Sequence, residues 1–257
     1  MLNNRAVWFL ATDNYLPHLR CMVTTLKDFG KLGDVRMILV ALGECKKASI
    51  DWFKQAGLEV IFRGPKGGDH RKGLRWKWHK TQIFNYFPEL DETLYLDCDM
   101  VVTSDVSGIW EFLPRQRLEA ASIPWSTRPH GDPFTVAYGK EFYAMGYKCF
   151  RTGLMLFRRG VSDEFLEAWG AAICDWPVRS STMDQPQLYN MLYTTSKRFI
   201  IRPVLNRYDY DTKNGLLPTD ANYKIVHYHN VMPRCLPQFK YLLRKGFVNK
   251  EGVPTKL

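Results

Sequence analysis

The stretch "LYLDCDMVV", Leu94 to Val102, places two carboxylates two residues apart in an otherwise apolar run. Side chains of a β-strand alternate between its two faces, so Asp97 and Asp99 share a face if the strand stays regular that far. Two unpaired carboxylates this close are electrostatically costly unless a cation or a shared proton offsets them. We therefore predict a bound cation at the end of this strand.

The composition indicates a folded domain. Hydrophobic residues make up 46% of the 257 residues and aromatic residues 14%, which is ample for a packed core. No apolar run approaches the roughly 18–20 residues of a membrane helix, and the first residues lack the pattern of a secretory signal. The six cysteines contain no CxxC pair. We expect reduced thiols and a cytoplasmic location.

Strand-like and helix-like segments alternate along the first hundred residues. The predicted elements are a strand over Ala6–Ala11, a helix in "YLPHLRCMVTTLKDFG" ending at Gly30, a strand in "VRMILVAL", a helix in "ASIDWFKQAG" ending at Gly57, a strand in "LEVIF", a helix in "WHKTQIFNYF" and a strand in "TLYLDCDMVV". This order predicts an α/β fold with a Rossmann-like, mostly parallel central sheet flanked by helices. Ligands of such sheets bind at the carboxyl ends of strands, where the two aspartates fall.

The second half is less regular at first. The region Pro114 to Cys149, with "IPWSTRPHGDPF", is rich in Pro and Gly and is predicted to form a surface or acceptor-side loop. A strand in "RTGLMLFRR", a helix in "SDEFLEAWGAAICDW" with Ser162 as N-cap, and a helix in "QPQLYNML" are predicted next. The late strand "YKIVHYHN" ends in two histidines.

The Asp-x-Asp pattern favours a hard divalent cation. Mg²⁺ and Mn²⁺ prefer carboxylate oxygens and bridge to the phosphate oxygens of a substrate. A bare Asp-x-Asp is common and often marks only a strand end. Here it follows the apolar "TLYL" in an alternating chain, which favours a site.

The segment "TLYLDCDMVVTSDVSGIWEF" resembles the metal-binding segment of retaining nucleotide-sugar glycosyltransferases of the GT-A fold. It is most similar to glycosyltransferase family 8, with its glycogenin-like and bacterial lipopolysaccharide galactosyltransferase-like members. The resemblance continues, in the family's order, through "ATDNYLPHLRCMVTTL", "RWKWHKTQIFNYFPELDETLYLDCD", "RTGLMLFRR", "MDQPQLYN" and "IVHYHN". It implies one GT-A-like domain over 1–257, with a nucleotide-binding half over about 1–113 and an acceptor-side half over about 114–257.

The resemblance implies a nucleotide site at the mouth of the first strand. Thr12, Asp13 and Tyr15 lie there, where a uracil ring can stack on Tyr15 and pair with the backbone or Asp13. Lys77 and Lys80 are one turn apart if helical and can offset the charge of the diphosphate. The alternatives are that Tyr15 packs on the core and that the two lysines form a solvated basic face.

The implied metal ligands are Asp97, Asp99 and His227, with Asp97 and Cys98 also counted among the donor-binding residues. His229, on the same face of a regular strand, is the rival ligand. An imidazole beside carboxylates suits Mn²⁺, and Mg²⁺ is the alternative.

Asp184 and Gln185 are implied to lie near the reacting sugar. Asp184 is the only nucleophile that the pattern offers and Gln185 is a polar stabiliser; the alternative is an N-cap at the start of a helix. Two departures from the family stand out. Arg151-Thr152-Gly153 replaces the usual Asn-small-Gly, and Asn230 replaces the glycine of the closing segment, so that Arg234, Lys240 or nothing takes the place of the diphosphate-binding lysine.

The net charge of +10 is concentrated in "HRKGLRWKWHK" and "RCLPQFKYLLRKGF" and suits nucleic acid, a phosphorylated small molecule or an anionic membrane. A haloacid-dehalogenase-like phosphatase and a nucleic-acid-binding module are the rival functions. The former normally carries its Asp-x-Asp on the first strand, and the latter leaves the aspartates unexplained.

We expect a metal-dependent transferase that moves a hexose from a nucleotide sugar, a UDP-sugar, to a hydroxyl of a glycan, lipid-linked or protein acceptor, with retention and without nucleic acid. The C-terminal basic segment from Arg234 is expected either to pack as a helix with solvated lysines or to contact an anionic membrane peripherally.

Overall fold

The computed structural model describes residues 4–64, 74–124, 150–175, 184–195, 198–208, 210–212 and 223–256. Most of the predicted loop Pro114 to Cys149, and the start of the basic stretch at His70, lie outside the described residues. The chain divides into two compact units. Unit 1 comprises Met1–Arg5, Gly64–Leu94 and Phe112–Val204, and unit 2 comprises Ala6–Arg63, Tyr95–Glu111 and Leu205–Leu257.

Strands and helices alternate as the sequence predicts. In chain order they are β1 (Arg5–Thr12), α1 (Leu16–Phe29), β2 (Arg36–Leu42), α2 (Lys47–Gln55), β3 (Glu59–Arg63), α3 (Leu74–Lys77), α4 (Ile83–Tyr86), β4 (Glu92–Leu96), β5 (Met100–Val102), β6 (Glu119–Pro124), β7 (Phe150–Arg158), α5 (Asp163–Asp175), α6 (Gln185–Thr194), β8 (Ile200–Pro203), β9 (Tyr210–Asp211), β10 (Ile225–His227) and α7 (Pro237–Arg244).

Seven strands form a sheet in the order β3-β2-β1-β4-β7-β6-β8, and three form a second sheet in the order β5-β10-β9. The pairs β1–β2, β2–β3 and β6–β8 are parallel, whereas β6–β7 is antiparallel. Residues 6–11 of β1 and all of β4 are buried, as expected for strands covered on both faces. The predicted α/β class with a mostly parallel sheet is confirmed.

The predicted strand through "TLYLDCDMVV" is wrong in one respect. It is two strands, β4 and β5, which belong to different sheets, and residues 97–99 form the turn between them. The turn is fixed by the Cys98 thiol, which donates to the Leu10 carbonyl oxygen at 3.3 Å, and by the Tyr95 hydroxyl, which donates to Asp97 Oδ1 at 2.5 Å. Asp97 and Asp99 therefore do not share a strand face.

Three other local predictions need correction. The helix over "WHKTQIFNYF" is broken at Gln82, whose ψ of 6° leaves the helical region. Ser162 directly precedes α5 as predicted, but its hydroxyl donates to the Glu119 carbonyl oxygen and accepts from the Arg158 N–H. The last strand, β10, ends at His227, and His229 has a φ of 59°.

The C-terminal helix α7 packs on unit 2 as one of the two sequence interpretations predicts. Phe239 and Leu242 are buried in a cluster with Val226 and Tyr228, while Lys240 and Arg244 are exposed. Among the described helices, none combines the length and apolar character needed to cross a membrane. The described cysteines hold no disulfide.

Two glycines of unit 2 have nearly the same φ but different surroundings, so that a comparison of their substitutions tests the packing of the fold. Gly252 (φ 86°) and Gly57 (φ 84°) both adopt the left-handed region. A Cβ at Gly252 would overlap the carbonyl oxygen of Met232, whereas at Gly57 it would meet no described atom within 4 Å. Gly57→Ala should therefore cost about 1–2 kcal/mol for the backbone alone. Gly252→Ala should cost roughly 1–3 kcal/mol more because of the overlap.

Denaturant unfolding of both variants measures this difference. Equal losses of unfolding free energy in the two variants would show that the packing of Gly252 on Met232 is wrong.

Candidate functional site

The mouth of β1 carries the residues expected to hold a nucleotide. Thr12 ends the strand and Asp13 and Tyr15 form the short helical turn after it. Asp13 Oδ1 accepts the backbone N–H of Lys46 at 3.0 Å, so this carboxylate also holds the loop before α2. The Tyr15 ring is 47% exposed. The interpretation of Tyr15 as a core residue is therefore wrong.

Ring contacts link Tyr15 to the turn after β4. The Tyr15 ring centroid is 5.8 Å from that of His18, which stacks on Tyr228, and the Tyr228 N–H donates to the Asp99 carbonyl oxygen. Partial burial raises the pKa of the Tyr15 hydroxyl, and the charges of Asp99 and Asp97 raise it further. The expected base-stacking residue and Asp99 thus belong to one connected group of residues in unit 2.

Asp99 lies between two histidines. The strands β5 and β10 pair with Met100 opposite His227, and the Tyr228 N–H donates to the Asp99 carbonyl oxygen at 3.0 Å. His227 Nε2 is 3.0 Å from Asp99 Oδ1, and His229 Nδ1 is 4.0 Å from Asp99 Oδ2. One potential ligand atom from each of Asp99, His227 and His229 lies within 4.8 Å of the others. We call these three residues the carboxylate–imidazole cluster.

The two histidines act on the pKa of the Asp99 carboxyl. Burial alone raises the pKa of the Asp99 carboxyl, and the neighbouring Asp97 raises it too. The charge and hydrogen bond of His227, with a contribution from His229, outweigh both effects and hold the pKa of Asp99 below its ordinary value. Asp99 is therefore a carboxylate at neutral pH, and a carboxylate with two imidazoles is a donor set that fits a divalent first-row metal ion.

The expected ligands are brought together only in part. Asp99 and His227 meet as predicted, and the rival His229 joins them. Asp97 lies outside the cluster, with Oδ1 bonded to the Tyr95 hydroxyl, although its charge still acts on Asp99. The Cys98 side chain is buried and anchors the turn at Leu10, so only its backbone is left for a role in donor binding.

Sequence reasoning missed the residues behind the cluster. Tyr228 is buried, and its hydroxyl is 3.2 Å from His18 Nδ1, with the two rings stacked. Burial lowers the pKa of His18, and Asp99 opposes this effect. No local signal could have found the pair, because the two residues are separated by 210 positions in the chain.

In unit 1, Lys80 and Asp184 form a buried ion pair. Lys80 Nζ is 2.9 Å from Asp184 Oδ2 and donates to the Thr152 carbonyl oxygen at 3.1 Å. The Thr152 hydroxyl donates to Asp184 Oδ1 at 3.1 Å. The Lys80 side chain is only 1% exposed, so the solvated-face interpretation is wrong for Lys80. Lys77 is partly exposed.

Asp184 and Gln185 begin α6. Asp184 occupies the N-cap position, but its side chain makes no capping hydrogen bond, so the N-cap interpretation is wrong for the carboxylate. Gln185 is buried and its Nε2 donates to the Tyr189 hydroxyl, which donates to the Phe150 carbonyl oxygen at 2.9 Å. Arg151, which stands where the resembled family has asparagine, is also buried.

The chain is similar to two solved structures of the galactosyltransferase LgtC and to one of the glycosyltransferase GlyE of Streptococcus pneumoniae. An active-site glutamine-to-glutamate mutant of LgtC is 14% identical over 96% of this chain and 98% of its own, with a TM-score of 0.60. LgtC in complex with donor and acceptor sugar analogs is 15% identical over 87% of this chain and 86% of its own, with a TM-score of 0.55. GlyE is 16% identical over 88% of this chain and 55% of its own, with a TM-score of 0.59.

These likenesses confirm the predicted GT-A fold class. No protein-family model and no curated protein sequence matches the chain. The comparisons give no support to the phosphatase or to the nucleic-acid-binding module. Membership of family 8, retention and the individual site residues stay predictions, because a shared fold hosts different sites.

The buried pair in unit 1 yields a stability prediction. Lys80→Met leaves the Asp184 carboxylate buried without its cation, and we expect a loss of about 3–5 kcal/mol of unfolding free energy. Lys80→Met combined with Asp184→Asn removes the unpaired charge and should recover much of that loss. Lys240→Met, at an exposed lysine, is the control and should change little.

Chemical denaturation of the four proteins, including the unchanged one, measures these effects. A single variant as stable as the unchanged protein, or a double variant no better than the single one, would contradict the ion pair.

Proposed function

We propose that the protein is a metal-dependent glycosyltransferase that transfers a hexose from a UDP-sugar to an acceptor hydroxyl, with retention of anomeric configuration. The observation that carries the proposal is the carboxylate–imidazole cluster, whose Asp99 lies in the turn after β4, at the carboxyl end of a central strand of a GT-A fold. LgtC, which has a similar fold, binds donor and acceptor sugar analogs, which supports a nucleotide sugar and a glycan as the substrates.

In this proposal Asp99 and His227 hold the cation, and Asp97, next to them, adds negative charge. A bound divalent cation supplies Lewis-acid stabilisation of the charge that develops on the departing diphosphate. Mn²⁺ suits the mixed donor set better than Mg²⁺ does, because imidazole nitrogen is a softer ligand than carboxylate oxygen.

Tyr15 and Asp13 orient the nucleotide. The exposed Tyr15 ring offers a face on which a uracil can stack, while the backbone near Thr12 and Asp13 is available to pair with its edge. Because ring contacts through His18 and Tyr228 connect Tyr15 to the turn that carries Asp99, a base stacked on Tyr15 is placed to direct its diphosphate towards the cation. We propose Lys77 for the charge of the diphosphate, as the family resemblance implies, whereas the ammonium of Lys80 is paired with Asp184.

Asp184 and Gln185 are proposed to contact the transferred sugar. Asp184 Oδ1 accepts from the Thr152 hydroxyl, and Oδ2 is in ion-pair contact with Lys80, which supports sugar positioning over nucleophilic attack. An active-site glutamine is also the residue changed in the LgtC mutant with a similar fold, which supports Gln185 as a polar stabiliser. The acceptor is a glycan, a lipid-linked sugar or a protein, and we propose a cytoplasmic enzyme that contacts anionic membranes through exposed Arg234 and Lys240.

The proposed ligand Asp99 and the neighbouring charge of Asp97 are tested by Asp99→Ala and Asp97→Ala. Each should lower turnover by about 10²–10³-fold, since the cation supplies several kcal/mol of charge stabilisation. Circular dichroism and thermal unfolding check that the fold survives, and Asp51→Ala, at an exposed carboxylate, is the control. Unchanged turnover in both variants would refute the metal assignment.

The donor is identified by measuring nucleotide release from a panel of nucleotide sugars with Mn²⁺ present and no acceptor added. Slow hydrolysis of one UDP-sugar, lost on chelation, is expected because water replaces the acceptor hydroxyl. The absence of release from every nucleotide sugar would count against the proposed function.

Two variants of Tyr15 test whether the base of the nucleotide stacks on its ring. With Mn²⁺, UDP at a hundred times its dissociation constant should stabilise the protein by about 2.7 kcal/mol. Tyr15→Ala should weaken UDP binding by about 1–3 kcal/mol, the usual contribution of one stacked base. Tyr15→Phe keeps the ring and should bind as tightly as the unchanged protein. Equal affinities of all three proteins in titration calorimetry would exclude stacking on Tyr15.

A further inference from the structure

We infer that His229 is a ligand of the cation, so that two imidazoles and one carboxylate bind it and select first-row transition ions against Mg²⁺. The inference rests on the proposed function for the presence of a cation, and it changes the expected ligand set. The sequence pattern pointed to two aspartates and one histidine. The described geometry instead groups Asp99 with His227 and His229.

The backbone at His229 bends the second imidazole towards the same carboxylate. In a regular strand, residues two positions apart are separated by about 6.6–6.8 Å along the strand. Here β10 ends at His227, His229 adopts a φ of 59°, and the two ring centroids are only 4.3 Å apart with an interplanar angle of 23°. A left-handed conformation costs a non-glycine residue roughly 1–2 kcal/mol, so the surrounding structure has to hold this turn in place.

Tyr228, the residue between the two histidines, fixes this part of the backbone. Its backbone N–H donates to the Asp99 carbonyl oxygen at 3.0 Å, and its buried ring stacks on His18. The alternate residues His227 and His229 are thereby directed to the side of Asp99. Ligands fixed in this way lose little conformational entropy when they bind an ion.

The cluster remains accessible to an ion. The side chains of Asp99, His227 and His229 are 15%, 12% and 22% exposed, so each has a path to solvent. His229 Nδ1 is 4.0 Å from Asp99 Oδ2, and a shift of about 1 Å brings it into the distance between neighbouring ligand atoms of a metal site.

The donor set determines which ions the cluster favours. Mg²⁺ demands near-octahedral oxygen ligands and retains its waters, whereas imidazole suits Mn²⁺ less than it suits Fe²⁺, Co²⁺ or Zn²⁺. A second imidazole in place of a carboxylate therefore raises the affinity for Co²⁺ and Zn²⁺ relative to Mg²⁺. His229 acts as the residue that sets this ratio.

The test is titration calorimetry of the full chain with Co²⁺ and with Mg²⁺, in the absence of any nucleotide. His229→Gly removes the ring and suits the left-handed backbone. Loss of a side chain that only hydrogen-bonds a metal ligand lowers metal affinity by roughly 10–100-fold. We expect His229→Gly, which removes a ligand itself, to lower Co²⁺ affinity by at least this factor and Mg²⁺ affinity much less. His229→Asp, which the same backbone tolerates, should shift the preference back towards Mg²⁺. Lys31→Gly, at another residue with positive φ, is the matched control.

Co²⁺ affinity of His229→Gly within about threefold of the unchanged protein, or an equal loss for Co²⁺ and Mg²⁺, would overturn the inference. Calorimetry also separates it from the proposed function, which is tested by nucleotide release. A chain that loses Co²⁺ binding in His229→Gly but releases no nucleotide keeps the metal site and loses the glycosyltransferase proposal. If the protein releases nucleotide and His229→Gly binds Co²⁺ as tightly as the unchanged protein, the glycosyltransferase proposal stands and the assignment of His229 as a ligand is refuted.

Discussion

The candidate site depends on the change of sheet between Leu96 and Met100. β4 lies in the seven-stranded sheet and β5 in the three-stranded one, so the chain has to turn within residues 97–99. Because residues 97–99 pair with no strand, the side chains of Asp97 and Asp99 do not have to alternate between the two faces of a sheet. The buried Cys98 anchors the turn from within, and Asp99 is then carried to β10 by the pairing of Met100 with His227. The apolar residues of this segment are thus buried in β4 and β5, and its two aspartates lie in the turn between these strands.

Each unit holds a carboxylate with partner groups close to it. Asp99, which is 15% exposed, lies next to the imidazoles of His227 and His229, and the buried Asp184 is paired with the ammonium of Lys80. Removing a charge from water is costly unless a partner and hydrogen bonds replace the lost hydration. Ionisable side chains grouped in this way are common at functional sites, and this is the physical basis on which both groups are candidate machinery.

The departures from the resembled family are next in sequence to residues of the candidate groups. Arg151 is buried on β7 next to Thr152, whose hydroxyl bonds Asp184. His229 joins the cluster, and Asn230 follows it where the family has glycine. The shared fold therefore coexists with a different set of side chains, as expected when function resides in sites rather than in the fold. Donor sugar and metal preference are the properties these positions are placed to alter.

The sequence by itself determined the alternation of strands and helices, the burial of the central strands and the identity of most candidate residues. The elements and their burial follow from local hydrophobic periodicity, and the two aspartates from residue chemistry, which short segments carry. Most of the other candidate residues are those that the family resemblance implies. Only the tertiary structure decided that Asp97 and Asp99 occupy a turn, that His229 joins Asp99, and that Lys80 bonds Asp184. The hydrogen bond between His227 and Asp99 spans 128 positions in the chain. Contacts of that range depend on how strands pair and how backbones turn, and no pattern within one segment encodes them.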